Sequence, residues 1–247
     1  MKADIKRVFQ GWGIYTTFAI LIFMMMMHVF GGAQAFNTDY LNAGVTAPLY
    51  FMNLNQNVMF GLIAIVHIIS VVDFKTGVSK NVLISGTSRT SYYVSKLLTT
   101  CLFTILAYLG QVVIGTVMVT AANGFGGVFS FAWLIDLVAP FLSQLFMLLA
   151  MSTVFVMFSF VVRSTAADMC MVGLLMGPVM VIQLIQGINE TLGNRLLDFE
   201  LMFITMRLTG IAYLEAGEVF RILAIGLGWM TVSIFIGLIL FKKAEIK

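Results

Sequence analysis

Six long apolar stretches dominate the chain. They cover approximately residues 12–30, 58–72, 94–119, 134–162, 169–185 and 220–241. Each is almost continuously apolar and lacks the alternation of period two that marks the strands of a membrane barrel. A transmembrane helix needs about 20 such residues, so the pattern predicts an all-α integral membrane protein with six spans. Pro140, near the start of the fourth stretch, predicts an interruption of that helix.

The composition excludes several other classes of protein. Hydrophobic residues make up 60% of the 247 positions and charged residues only 10%, whereas soluble domains carry about 25% charged residues. The net charge of +3 is small and scattered, which argues against nucleic acid as a partner. Cys101 and Cys170 lie within apolar stretches and are interpreted as buried hydrophobes. No Pro- or Ser-rich linker is visible, so residues 1–247 are predicted to form a single transmembrane domain.

The basic residues predict the orientation in the membrane. Most of the 14 Lys and Arg residues precede the first stretch, follow the last, or lie between the second and third. Because basic loops stay in the cytoplasm, both termini are predicted to be cytoplasmic.

Two segments outside the apolar stretches have amphipathic patterns. Near the amino terminus, Ile5, Val8, Phe9 and Trp12 recur at helical spacing, which predicts a helix lying in the membrane interface. Residues 187–218 are too apolar for a free loop and too charged to span. They predict short helices on the outer side before the sixth span, either interfacial or re-entrant.

The connection between the second and third stretches carries the most informative pattern. Gly77 and Gly86 bracket a segment in which Val78, Val82 and Leu83 recur at helical spacing. This spacing predicts a short amphipathic helix at the cytoplasmic membrane surface. The helix could rest on lipid headgroups, or its apolar face could enter a groove of a partner protein.

The same connection resembles that of the permeases of the ABC-2 exporter superfamily. In those permeases the connection begins with an acidic residue, usually Glu, followed by a glycine. Asp73 and Gly77 take these two places here. The motif ends with an arginine and a later lysine, which correspond to Arg89 and to the pair Ser95–Lys96. Aspartate shortens the reach of the carboxylate by one methylene. Together with six spans, this chain length and the amphipathic amino-terminal segment, the resemblance covers essentially the whole chain.

The resemblance implies roles for the residues of this connection. A coupling helix that docks onto a separate ATPase subunit would consist of Gly77, Val78, Ser79, Lys80, Asn81, Val82, Leu83 and Ile84. Asp73, Arg89 and Lys96 would fix the loop to the membrane surface and to an amino-terminal elbow helix. Ordinary interfacial charge is the alternative for these three residues. The short outer helices would gate a passage.

Six polar residues within or near the spans are candidates for lining that passage: His28, His67, Gln111, Gln144, Gln183 and Gln186. Unpaired polar groups in hydrocarbon are costly, so these side chains should face the bundle interior or a cavity. Interhelical hydrogen bonds are the alternative. Two histidines with no nearby carboxylate do not make a metal site.

The expected function is that of a transport subunit and not of an enzyme. The chain lacks the motif Gly-x-x-x-x-Gly-Lys-[Ser/Thr], so ATP and Mg²⁺ are expected on partner ABC ATPase subunits, with no cofactor on this chain. A second permease subunit, identical or related, is also expected. The resemblance points to small permeases of the bacterial plasma membrane that export antimicrobial or toxic amphipathic peptides. Lipid-linked or drug-like substrates, and a structural six-span protein, are the alternatives.

Overall fold

The computed structural model describes residues 2–31, 41, 43–207 and 216–244, and every regular element among them is helical. In chain order the helices are α1 (Lys2–Gln10), α2 (Trp12–Met26, prolonged by the π-helical turn Met27–Gly31), α3 (Ala47–Asn53), α4 (Asn55–Lys75, including the π-helical turn His67–Val71), α5 (Val78–Ile84), α6 (Arg89–Asn123), α7 (Phe131–Val162), α8 (Ala166–Ile188), α9 (Glu190–Leu197), α10 (Leu201–Arg207) and α11 (Ala216–Lys243).

Six helices of the described chain are long and apolar enough to cross a membrane, namely α2, α4, α6, α7, α8 and α11. The predicted six-span, all-α fold is therefore confirmed. Several helices extend beyond the apolar stretches because polar caps start them earlier. Ser88 accepts a hydrogen bond from the backbone N–H of Ser91, and Ser130 accepts one from that of Trp133. Such caps satisfy amides that have no partner in the first turn.

The predicted interruption at Pro140 is wrong. Helix α7 runs without a break from Phe131 to Val162 with Pro140 inside it, and α8 likewise contains Pro178. In water an internal proline costs a hydrogen bond and clashes with the preceding turn. In a membrane the chain has no solvent to satisfy an unfolded turn, so the helix continues and its neighbours absorb the irregularity.

The bundle has two ends, which the short helices distinguish. Lys2, Lys243 and helix α5 lie at one end, called here the terminal end, because an even number of spans returns the chain to its starting side. The segments after α6 and after α8 lie at the opposite end. Helices α4 and α7 form the centre of the bundle, whereas α8 and α11 bury only small parts of their surfaces within the described chain.

An aromatic cluster locks four of the long helices together at the terminal end. The ring of Phe160 in α7 lies 4.7 Å from that of Tyr93 in α6, 4.8 Å from Phe241 in α11 and 5.1 Å from Phe74 in α4. Aromatic pairs of this kind contribute about 0.5–1.5 kcal/mol each beyond their burial. The cluster gives α5, the short helix between α4 and α6, a rigid base.

Helices α9 and α10 form a hairpin that folds back into the bundle and is called here the re-entrant hairpin. The first returns along α8, with Gly193 so close to Gln186 that a Cβ there would lie 2.5 Å from its backbone. At its tip, Glu200 lines a small cavity with Met151, Leu174 and Trp229, residues from the middle of α7, α8 and α11. The segment over residues 190–207 therefore folds back towards the middle of the bundle, which favours the re-entrant one of the two arrangements left open.

Candidate functional site

Helix α5 occupies the position of the short helix that the sequence pattern predicts. Gly77 precedes it with φ 73° and Gly86 follows it with φ 96°. Both angles lie in the left-handed region that only glycine adopts without strain. The two glycines turn the chain out of α4 and back into α6, so α5 lies across the terminal end of the bundle.

The two faces of α5 differ sharply in exposure. Ser79 is buried, and Val82 and Leu83 are half-buried against the core of the chain's own bundle. Lys80 and Asn81 are exposed, and 73% of Ile84 is accessible to solvent. The apolar pair Val82 and Leu83, which the sequence left free to enter a partner's groove, thus packs largely inward.

The outward face of α5 borders a shallow groove of about 440 Å³. Its lining includes Lys80, Leu83, Ile84, Thr87 and Arg89. The groove therefore combines two cationic side chains with one exposed isoleucine. Exposed apolar groups rimmed by polar ones are typical of surfaces that bind another protein.

Asp73 in the last turn of α4 is the centre of a buried ionic network. Its Oδ2 atom accepts a hydrogen bond from Tyr92 Oη at 2.9 Å and lies 2.6 Å from Lys96 Nζ, both on α6. Its Oδ1 atom accepts a hydrogen bond from the guanidinium of Arg7 on α1. The side chains of Asp73 and Lys96 are each only 1% exposed. Asp73 therefore ties α1, α4 and α6 together.

Asp4 completes the network from α1. Its Oδ1 accepts from Lys96 Nζ and its Oδ2 accepts from Ser95 Oγ at 2.8 Å. Arg7 also donates to the carbonyl oxygen of Ile69 at 3.2 Å. Two carboxylates and two cations thus balance one another in the buried site, which is the condition under which buried charge is tolerated. The amino-terminal helix is fixed directly to the base of α5.

The pKa of Asp4 is held below its usual value. Burial alone would raise the pKa of this carboxyl, but the hydrogen bond and positive charge of Lys96, with the hydrogen bond from Ser95, outweigh it. Because the folded-state pKa lies below the unfolded-state pKa, the stabilisation is complete above about pH 4 and is lost as the pH falls through the lowered value.

We therefore expect the Tm of the detergent-solubilised protein to fall as the pH is lowered below about 4. The variant Asp4→Asn should have a lower Tm at neutral pH and a weaker acid dependence. Thermal unfolding measured at closely spaced pH values checks this, with Asp136→Asn, at an exposed carboxylate of α7, as the control. An acid dependence that is the same in Asp4→Asn and in the parent chain would contradict the ion pair.

Arg89 fixes the loop to the last span rather than to the amino-terminal helix. Its Nη1 atom donates to the carbonyl oxygens of Phe241 at 3.1 Å, Lys242 at 2.7 Å and Ala244 at 2.6 Å. These carbonyls end α11 and have no partner within the helix, and a cation there also offsets the negative end of the helix dipole. The predicted contact of Arg89 with the elbow helix is thus replaced by a cap on α11.

Replacing Arg89 with methionine should leave those carbonyls without their shared donor. We expect the free energy of unfolding to drop by about 2 kcal/mol, the range for hydrogen bonds that involve a charged group. Chemical unfolding in detergent, with Lys75→Met as the control at an exposed cation, measures the effect. Equal stability of the two variants would show that Arg89 does not hold α11.

Both histidines pair with groups on other helices. His67 Nδ1 lies 2.7 Å from Asp168 Oδ2, which joins the π-helical turn of α4 to the start of α8. His28 Nδ1 lies 3.1 Å from Tyr50 Oη and joins α2 to α3. The sequence-based statement that no carboxylate lies near these histidines is wrong for His67. Within the described ranges, no three His, Cys, Asp or Glu side chains gather into a group that could hold a metal ion.

The four glutamines lie in three different environments. Gln111 is buried and donates to the carbonyl oxygens of Phe51 at 2.7 Å and Leu54 at 3.1 Å. Gln144 is buried and accepts from the amide of Asn55. Both brace the junction of α3 and α4, which is the interhelical packing left open as the alternative to lining a passage.

The remaining two glutamines lie on α8. Gln183 is exposed, and Gln186 donates to Asn194 Oδ1 of α9 at 2.7 Å. Gln186 therefore holds the re-entrant hairpin to α8, while nothing in the described chain brings Gln183 to Gln111 or Gln144.

No family model matches the chain, and neither a curated protein nor a solved structure is significantly similar to it. The function is therefore argued from the residues and their geometry. The arrangement at the terminal end can transmit force physically. Helix α5 exposes one face, and the residues that flank it, Asp73 in α4 and Arg89 in α6, are fixed to α1, α6 and α11.

Proposed function

We propose that the chain is the membrane-spanning subunit of an ATP-driven exporter, and that α5 docks onto a separate ATPase subunit. The observation that carries this proposal is the bracing of α5. Its exposed face offers Lys80, Asn81 and Ile84 to a partner, whereas the connections at its two ends are fixed by Asp73 and Arg89. A short element held in this way passes rigid-body motion of a partner to the spans it joins.

Two routes lead from α5 into the bundle. Through Asp73, Tyr92 and Lys96, motion of α5 reaches α4 and α6 together with α1. Through Arg89, it reaches the end of α11. Closure of a partner ATPase would therefore displace four helices as one body at the terminal end. The aromatic cluster around Phe160 resists independent movement of three of them, α4, α6 and α11.

The working assembly is proposed to contain two membrane subunits and two ATPase subunits. ATP and Mg²⁺ belong to the ATPase, since this chain has no phosphate-binding loop motif. The weakly covered faces of α8 and α11 within the described chain leave surface for a second membrane subunit, identical or related. The proposed location is a bacterial plasma membrane with both termini in the cytoplasm, where the ATPase would reach α5.

An amphipathic peptide, antimicrobial or toxic to the cell, is the proposed substrate. This choice follows from the resemblance to small peptide-exporting permeases, and lipid-linked or drug-like molecules are the competing class. Uptake of a fluorescent amphipathic peptide into inverted vesicles, with and without ATP, distinguishes the two classes. Transport of a lipid-linked substrate without transport of the peptide would favour the lipid-linked or drug-like class.

Photo-cross-linking from α5 tests the docking surface. A photoreactive amino acid in place of Lys80 should capture a soluble polypeptide that contains a phosphate-binding loop. The same residue in place of Val113, which is 52% exposed on the membrane-spanning part of α6, serves as the control. Capture at residue 113 but not at residue 80, or products without a nucleotide-binding sequence, would contradict the assignment of α5.

A further inference from the structure

A furrow runs between the re-entrant hairpin and α11, from the opposite end of the bundle towards its middle. The outer part has a volume of about 580 Å³ and is lined by Arg195, Asp198, Phe199, Arg221, Ala224 and Ile225. The inner part has a volume of about 390 Å³ and includes Phe199, Ile225, Gly228, Trp229 and Val232. Because Phe199 and Ile225 line both parts, the furrow is continuous.

The inner part of the furrow is apolar and has a defined shape. Gly228 on α11 lines it without a side chain, and a Cβ built there meets nothing within 4 Å. Phe199 and Trp229 contribute large rings. Trp229 Nε1 donates to the carbonyl oxygen of Phe199 at 3.1 Å, which fixes the indole to the tip of the hairpin. The space over Gly228 is therefore wide enough for an aliphatic chain.

The outer part of the furrow presents two guanidinium groups. Its lining holds the guanidinium groups of Arg195 and Arg221 and the carboxylate of Asp198. Arg195 is exposed and makes no ion pair with any residue that the structure describes. Arg221 is half-exposed and lies 3.8 Å from both Asp198 and Glu218, beyond the distance of a good hydrogen bond. Both guanidinium groups therefore keep donors for an anionic ligand.

The position of these charges along α11 matches the level of a lipid headgroup. Arg221 lies in the first turns of a helix that crosses the membrane from Gly217 to Lys243, whereas Gly228 lies about two turns deeper. An apolar furrow that ends at guanidinium groups in the interface has the chemistry of a phospholipid, with its acyl chain inside and its phosphate at the rim.

We propose that this furrow binds one phospholipid, with an acyl chain over Gly228 between Phe199 and Trp229 and the phosphate on Arg195 and Arg221. The lipid joins the re-entrant hairpin to α11, where the protein's own contacts are few. The proposal does not depend on an ATPase partner, since it rests on the furrow and its charges alone.

Native mass spectrometry of the purified chain tests the proposal. The protein is reconstituted in vesicles of phosphatidylethanolamine and phosphatidylglycerol, extracted in a mild detergent, and weighed with its retained lipids. We expect one phospholipid per chain. Gly228→Leu places a side chain in the furrow at a position where a Cβ meets nothing within 4 Å, and should reduce the retained lipid about tenfold or more, because burial of several methylenes is lost. Gly173→Leu, at an equally open and exposed glycine on α8, should retain it.

The charge at the rim is tested separately. Arg195→Gln should reduce retained phospholipid by about threefold or more, the loss of one charge-assisted contact to phosphate, and should not change the retention of uncharged diacylglycerol. An excess of inorganic phosphate should displace nothing, since the acyl chain supplies most of the binding.

Three results would overturn the proposal. Equal lipid retention in Gly228→Leu and Gly173→Leu would place the lipid elsewhere. Displacement of the retained lipid by inorganic phosphate would show that the furrow binds only an anion and not an acyl chain. Conversion of a dimer of this chain to a monomer by Gly228→Leu, with no change in retained lipid, would assign the furrow to a subunit interface.

Discussion

Replacement of Asp73 with alanine is expected to lower the free energy of unfolding by about 3–5 kcal/mol, the cost of removing one partner from a buried ion pair. Lys96 is 1% exposed and lies between Asp73 and Asp4. Without Asp73, the charge of Lys96 is only partly compensated, and the guanidinium of Arg7 and the hydroxyl of Tyr92 also lose their acceptor.

Unfolding in detergent, followed by loss of the folded peak in size-exclusion chromatography, measures this effect. Asp136→Ala removes an exposed carboxylate of α7 and should change stability by less than about 0.5 kcal/mol. Asp73→Asn keeps the shape and one acceptor, so it should lie between the parent chain and Asp73→Ala. A stability of Asp73→Ala equal to that of Asp136→Ala would contradict the network.

Replacement of Ile84 with aspartate is expected to reduce the amount of co-purified ATPase about tenfold or more. Ile84 is the most exposed apolar side chain of α5, and a charge there would be desolvated without a partner in the docked complex. The stability of the isolated chain should be unchanged, because substitutions at exposed positions usually alter it by less than about 0.5 kcal/mol.

Ile84→Val is the matched control and should retain the ATPase. Val82→Asp and Leu83→Asp are poorer tests, because both side chains pack against the core of this chain and a charge there would also loosen the loop. If the Ile84→Asp variant retains the ATPase and the Lys80→Glu variant loses it, the docking surface lies on the cationic side of α5. Retention by both would contradict docking through α5.

The spans and α5 were accessible from sequence because each depends on a local pattern. Continuous apolar runs mark the spans, and Gly77 and Gly86 mark the turns on either side of α5. The direction in which α5 turns its apolar side was not accessible. Helical spacing of Val82 and Leu83 is the same whether they pack on their own bundle or on a partner, and only the tertiary contacts decide between the two.

Contacts between distant parts of the chain account for most of what sequence reasoning missed. Asp73 and Lys96 were recognised, but their partners Asp4 and Arg7 come from the amino-terminal helix. The only signal in the sequence is that Asp4 and Arg7 lie three residues apart on a helix whose apolar positions include Val8. The pairing of His67 with Asp168 joins positions 101 residues apart, and no single-sequence pattern encodes it.

The most direct test of an ATP-driven export function is the purification of this chain from its native membrane in a gentle detergent, followed by native mass spectrometry and an ATPase assay. We expect an assembly of two membrane subunits and two soluble subunits that contain a phosphate-binding loop. The purified assembly should hydrolyse ATP, and the fraction purified with the Ile84→Asp variant should not. An intact oligomer of the membrane chain with no nucleotide-binding subunit and no ATP hydrolysis would contradict the account.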